Sequence, residues 1–157
     1  MTAAPEGTRM WMPSSNPVVY KALVALQRAS SKDLDAGLVA LIYIRASQIN
    51  GCAYCLHMHT SDALESGADP VKLGVIAAWR ESTGIFDDRE RAALALTDEV
   101  TLIAESGIAS EVFEAARAVF DEYELGQVLA SIAMINTWNR IAITGGYPTS
   151  FDERASG

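Results

Sequence analysis

Apolar residues recur along this chain at spacings of three and four, the period of a helix, and no stretch convincingly alternates with the period of two that a strand requires. Between Leu34 and Asn50 the positions Leu34, Leu38, Leu41, Ile42, Ala46 and Ile49 line one face, which predicts a helix closed by Gly51. Asn16 before Pro17 reads as an N-cap followed by proline at the first helical position, and opens an earlier helix reaching about Arg28. A third helix spans about Cys52 to Ser66 and stops at Gly67. Asp69-Pro70 repeats the cap-and-proline signal for a fourth, running to about Glu81. After a turn from Ser82 to Asp88, a fifth carries Ala92, Leu96, Glu99, Val100 and Ile103 to a stop at Gly107. Ser110 caps a sixth, ending near Phe120. Asp121, with Glu124 three residues on, forms a capping box for a seventh that extends to about Ile143, before Gly145-Gly146 and Pro148.

The expected fold class is therefore all-α, a bundle of about seven helices over residues 17–148. An irregular arm (1–16), rich in Pro, Gly and Ser, precedes it, and a tail (149–157) follows. The strings LVALIYI and VLASIAMI are apolar on more than one face. Such helices must be buried on several sides. Burial against further copies of the chain is expected on this ground, with a tightly packed monomeric bundle as the alternative.

Composition narrows the function classes. A chain of 157 residues with half its residues hydrophobic is long enough to bury a core as one domain. A net charge of −8 argues against a nucleic-acid partner, which needs clustered Lys and Arg. The longest apolar run, Leu38 to Ile44, is far short of the roughly 20 residues that span a bilayer. Met1 to Asn16 lacks the basic start and apolar stretch of a signal peptide. A cytoplasmic protein with no membrane partner is expected. Two cysteines three apart in a reducing compartment suggest catalysis or metal binding more than a structural staple.

Both cysteines and both histidines lie within NGCAYCLHMH, residues 50–59. At about 100° per residue, and with Cys52 at zero, Cys55 falls near 300°, His59 near 340° and His57 near 140°. Cys52, Cys55 and His59 thus share a stripe, and His57 points elsewhere. A thiolate is the nucleophilic form of cysteine, and the first turn of a helix favours that anion. His59, at i+4 from Cys55, can take its proton. Cys52 can attack an oxidised Cys55 and close a disulfide within one turn, so the spacing reads as a dithiol that cycles. Cys52 lies nearer the positive helix end, whereas His59 favours Cys55 as the attacking sulfur. Zinc is an alternative: Cys52, Cys55 and His59 are three ligands, but a structural site wants four and no second ligand pair exists in the chain. A buried, inert cysteine pair is a third reading.

The segment RASQINGCAYCLHMHTSDAL, residues 45–64, resembles the signature of the AhpD-like alkylhydroperoxidases within the carboxymuconolactone decarboxylase superfamily. Its CxxCxxxH pattern maps onto Cys52, Cys55 and His59, and the likeness continues through WRES, FDDRERAALALTDEVTLI and INTWNRIAI. The resemblance implies an all-helical trimer or hexamer. It also implies antioxidant chemistry in which a hydroperoxide oxidises Cys55 (peroxidatic), Cys52 resolves it, and an external dithiol such as a lipoyl-bearing protein restores the pair. No bound cofactor is implied. One departure stands out: family members carry a proton-relay glutamate twelve residues before the first cysteine, where this chain has Ala40. Gln48, Tyr54 and Glu99 are candidate supporting residues, Glu99 as a replacement carboxylate. The decarboxylase branch generally lacks the cysteine pair, so its chemistry is disfavoured. A non-enzymatic redox sensor of the same fold is the rival from another class.

Late in the last helix, Asn139 and Arg140 interrupt an apolar stretch and require hydrogen-bond partners if buried. Trp79 reads as core or interface, and Arg45 as the partner of a carboxylate on another helix.

Overall fold

The computed structural model describes residues 3–149. Among these, nine α-helices form: α1 (Met12–Ser15), α2 (Pro17–Ser31), α3 (Ala36–Asn50), α4 (Ala53–Glu65), α5 (Pro70–Gly74), α6 (Asp88–Thr101), α7 (Ile103–Ser106), α8 (Ser110–Val119) and α9 (Glu122–Gly145). A 3-10 turn, Ile76–Ala78, lies between α5 and α6. Six of these helices are long, and the fold is all-α as the periodicity predicts. The tail beyond Thr149 lies outside the described residues.

Local signals set most helix ends. Asn16 accepts a hydrogen bond from the Val19 amide, with Pro17 at the first helical position. Asp121 and Glu124 complete the capping box of α9. Asp87 and Glu90 form a second one on α6, a signature the sequence carries but the periodicity reading passes over.

Where local reading fails, packing overrides it. The predicted fourth helix does not reach Glu81. It stops at Gly74, and the backbone turns through Val75 (φ −100°, ψ 3°). The break lets Ile76 and Trp79 bury together in a cluster with Leu41, Ile44, Phe86 and Leu94. The Trp79 indole N–H then donates to Asp98 (3.1 Å). Asp98 also takes Arg45 from α3 (2.5 Å) and Arg80 (3.1 Å), the cross-helix pairing expected of Arg45. The predicted fifth helix breaks at Leu102 (φ −101°, ψ 24°), leaving α7 as a separate turn. Ser110 is not a cap; Ala109 holds that position, and its amide donates to Glu99 (2.8 Å). The arm is not irregular throughout. It forms α1 and anchors to the end of α9, where Arg9 donates to the Ile143 and Thr144 carbonyls.

The hub is α3, which packs on α4, α6 and α9. Leu38, Ile42, Tyr43 and Ala46 enter one apolar cluster with α6, α8 and α9, while Leu41 and Ile44 enter the second. Leu38, Leu41, Ile42, Tyr43 and Ile44 of LVALIYI are all buried within the single chain, as are Val128, Ser131, Ile132, Met134 and Ile135 of VLASIAMI. Neighbouring helices of the same chain bury these residues, while Val39, Ala40, Leu129 and Ala130 stay half-buried and Ala133 is exposed.

The α3–α4 corner turns on Gly51, at φ 69° and ψ 32°. An added Cβ there would meet nothing within 4 Å, so Gly51→Ala isolates the backbone term. It is expected to destabilise the fold by about 1–2 kcal/mol. Gly126, inside α9 and equally uncrowded, should behave oppositely: Gly126→Ala should gain about 0.4–1 kcal/mol. Urea unfolding of both variants checks the pair.

Candidate active site

The site begins at that corner. Two hydrogen bonds close α3: the Gly51 amide to the Gln48 carbonyl (3.3 Å) and the Cys52 amide to the Ser47 carbonyl (3.0 Å). Side chains hold the corner against α9. Asn50 donates to Asn136 (2.9 Å) and Asn139 (2.8 Å), and the fully buried Asn139 donates to Ser47 (3.0 Å). The role expected of Asn139 is thus structural. Arg140 bonds back to Asn136 on its own helix.

Helix α4 opens directly after the corner, with Cys52 as its N-cap. Its sulfur accepts the Cys55 amide at 3.3 Å. The two cysteines are joined as a disulfide, Cα to Cα 5.4 Å, and each is 1% exposed. The stripe deduced from helical angle is present: His59 is 8% exposed and His57 faces solvent.

Cys55 and His59 line a cavity of about 200 Å³ whose walls include Tyr20 from α2, Tyr54 from α4, Trp138 from α9, and Tyr147. Cys52 does not line it. Burial pushes the His59 pKa down to about 4, so the imidazole is neutral at ordinary pH. Its ring packs against that of Tyr43, centroids 4.9 Å apart. A larger cavity of about 560 Å³ adjoins on the other side of His59, lined by Asp35, Ala40 and Tyr43 among others. Gln27, His59 and Asp62 belong to both walls.

The structure brings together Cys52, Cys55, His59 and Tyr54. Gln48 and Glu99 line neither cavity. Gln48 sits on α3 with its side-chain oxygen buried and unpaired, and Glu99 is engaged by the Ala109 amide. Glu99 therefore does not supply the carboxylate that Ala40 lacks, because its side chain is committed to the entry of α8. Ala40 itself does face the larger cavity. The acid beside His59 is Asp62, which sequence reading passed over although the signal was present. At about 100° per residue it falls near 280° from Cys52, completing the stripe of Cys52, Cys55 and His59. Tyr20, Gln27 and Tyr147 come from distant parts of the chain and carry no such signal. Tyr147 is held in place by the arm, through the Met12 amide (3.0 Å) and the Trp11 ring (centroids 4.3 Å).

Among the described residues, no three His, Cys, Asp or Glu side chains converge as metal ligands would. No helix of the described residues is long and apolar enough to cross a membrane.

Residues 17–99 match the carboxymuconolactone decarboxylase family, and the chain belongs to it. It is 34% identical over 143 residues to the uncharacterized protein YdfG of Bacillus subtilis (strain 168), covering 91% of this chain and 89% of that one. The crystal structure of ATU0492 from Agrobacterium tumefaciens matches with a TM-score of 0.87 at 36% identity, over 92% of this chain and 99% of that one. ATU0492 is a protein of unknown function put forward as the antioxidant defence protein AhpD. An uncharacterized peroxidase-related protein from Ralstonia eutropha JMP134, described as an alkylhydroperoxidase AhpD core, shares the fold. Its TM-score is 0.75 at 22% identity, with 87% of this chain and 73% of that one covered. The fold is AhpD-like, with a paired CxxC at its centre.

The buried imidazole makes stability depend on pH. Its folded pKa of about 4 lies below the ordinary 6.5. As pH falls, the unfolded chain takes up this proton first. The stabilising contribution is complete above pH 6.5 and declines towards pH 4, by on the order of 3 kcal/mol. Urea midpoints at pH 7 and about pH 4.5 should therefore differ less in His59→Gln than in wild type.

Proposed function

We propose that the protein is a thiol-dependent hydroperoxide reductase. The observation that carries this reading is that Cys55, and not Cys52, lines a cavity together with a neutral, buried His59. The reduced Cys55 passes its proton to His59 and attacks the terminal peroxide oxygen. The O–O bond breaks, the departing alkoxide takes the proton from His59 and leaves as an alcohol, and Cys55 becomes a sulfenic acid. Cys52, whose sulfur already sits one turn away as the helix cap, displaces that oxygen as water and forms the disulfide. An external dithiol, of the lipoyl type in the family that the sequence resembles, returns two electrons and two protons. No step calls for a bound metal or organic cofactor. Assembly into a trimer or hexamer belongs to the same reading, and light scattering on the purified protein decides it.

A redox sensor of the same fold is the second reading, favoured by the small size of the cavity and the near-complete burial of both sulfurs. Turnover separates the two. With dihydrolipoamide as donor, wild type should reduce tert-butyl hydroperoxide catalytically, and Cys55→Ser should fall to background. His59→Gln should lose about 10²-fold or more in kcat. Cys52→Ser should be oxidised once per chain and then stop or slow sharply. One stoichiometric oxidation by wild type, without turnover, would establish the sensor instead.

A further inference from the structure

Every described residue lining the smaller cavity lies on α2, α4 or α9 except Tyr147. Tyr147 follows Gly146, which ends α9 in a left-handed conformation (φ 66°, ψ 47°), and its amide bonds back to the Ala142 carbonyl (3.0 Å). Its side chain is half-buried and packs against the cluster of Cys52, Cys55 and Ala142, with its ring edge-on to that of Tyr54 (centroids 5.3 Å apart). A half-buried ring packed on two sulfurs that are each 1% exposed stands between them and solvent.

The N-terminal arm holds this ring in place, through the Met12 amide on its hydroxyl and the Trp11 ring on its face. The arm is in turn fastened to the end of α9. The Arg9 and Met10 amides both donate to the Gly145 carbonyl (2.8 and 3.2 Å), and the Arg9 guanidinium donates to the carbonyls of Thr144 (2.9 Å) and Ile143 (2.6 Å). The last carbonyls of a helix lack partners within it, so the arm supplies them. The guanidinium bonds are exposed, and a short terminal segment tied by exposed bonds is the kind that opens without global unfolding. The other walls belong to helices of 13 to 24 residues and have no comparable freedom.

We propose that residues 9–12 and Tyr147 form a latch over the disulfide: closed, it shields both sulfurs, and an external dithiol reaches them only while the arm is lifted from the end of α9. One thiolate of the dithiol attacks a protein sulfur and expels the other. Its second thiol then closes a cyclic disulfide, so the dithiol loses two electrons and the protein pair gains them with two protons. The proposal rests on the reductase reading only for its external dithiol, and it is tested without any peroxide.

Two rates are compared in the oxidised protein: hydrogen exchange at the Met10 amide, and reduction of the disulfide by dithiothreitol followed by peptide mass spectrometry. In wild type the Met10 amide should exchange through local opening, unaffected by dilute urea, on the order of a hundredfold faster than that of the fully buried Ile42. Arg9→Ala removes the guanidinium bonds, and Tyr147→Phe removes only the hydroxyl; neither takes away the acceptor of the Met10 amide. Each should raise both rates together by roughly two- to tenfold, the worth of a hydrogen bond. Val112→Ala, on α8 and packed against the main core, should lower the urea midpoint and leave both rates unchanged. Exchange of Met10 only through global unfolding overturns the latch. So does reduction that stays at the wild-type rate while Met10 exchange quickens, or that rises as far in Val112→Ala. Absence of hydroperoxide turnover with the two rates still coupled would count against the reductase alone; normal turnover with uncoupled rates would count against the latch alone.

Discussion

The hydrogen bond from the Cys52 amide to the Ser47 carbonyl joins the helix that organises the core to the helix that carries the chemistry. It forms only because Gly51 adopts a left-handed backbone conformation, which a residue with a Cβ enters at a cost of about 1–2 kcal/mol. Everything downstream inherits its position from this corner. Cys52 becomes a helix cap, Cys55 follows one turn later, and His59 one turn after that. The corner also buries polar groups, with Ser47 and Asn139 fully enclosed. Ser47, Asn50 and Asn139 satisfy one another there, which resolves the cost of placing amides inside an apolar bundle. A chain of side-chain hydrogen bonds thus ties the register of α3 to that of α9 at the level of the sulfurs.

Apolar packing places the wall of the site. Helix α3 is surrounded by α4, α6 and α9, leaving little freedom in how α4 lies. Tyr43 from α3 meets His59 from α4 with the two rings tilted by 59°, and burial keeps the phenol protonated by raising its pKa. The opposite wall comes from α2, α9 and Tyr147, and Tyr147 depends on the N-terminal arm for its hydroxyl and ring contacts. Gly145 shows how closely that arm is fitted: an added Cβ would lie 2.5 Å from the Met10 carbonyl oxygen. The first residues of the domain and the last described ones therefore close over the same pair of sulfurs.

Family membership by itself does not decide the chemistry, because one helical scaffold can host different reactions through different side chains. The distinguishing features here are local. The N-cap sulfur accepts a backbone amide and Cys52 does not line the cavity, whereas Cys55 lines it beside an imidazole that burial keeps neutral. A neutral imidazole is the form able to accept a proton, and desolvation that depresses its pKa also limits how long it keeps one. The division of labour between the two sulfurs in the proposed cycle follows from this difference in placement.

Much of this was legible without coordinates. Helical class, most helix ends and the shared stripe of Cys52, Cys55 and His59 follow from periods and caps. These are local properties in which each residue is constrained by neighbours three or four positions away. Asp62 and the Asp87–Glu90 box are legible on the same grounds. The break after Gly74, the commitment of Glu99 to Ala109, the docking of the arm and the assembly of the cavity from Tyr20, Trp138 and Tyr147 were not. Those features arise where segments far apart in the chain compete for the same buried volume and the same hydrogen-bond partners. A periodic pattern states which face of a helix must be buried, but only the packed tertiary structure decides what buries it.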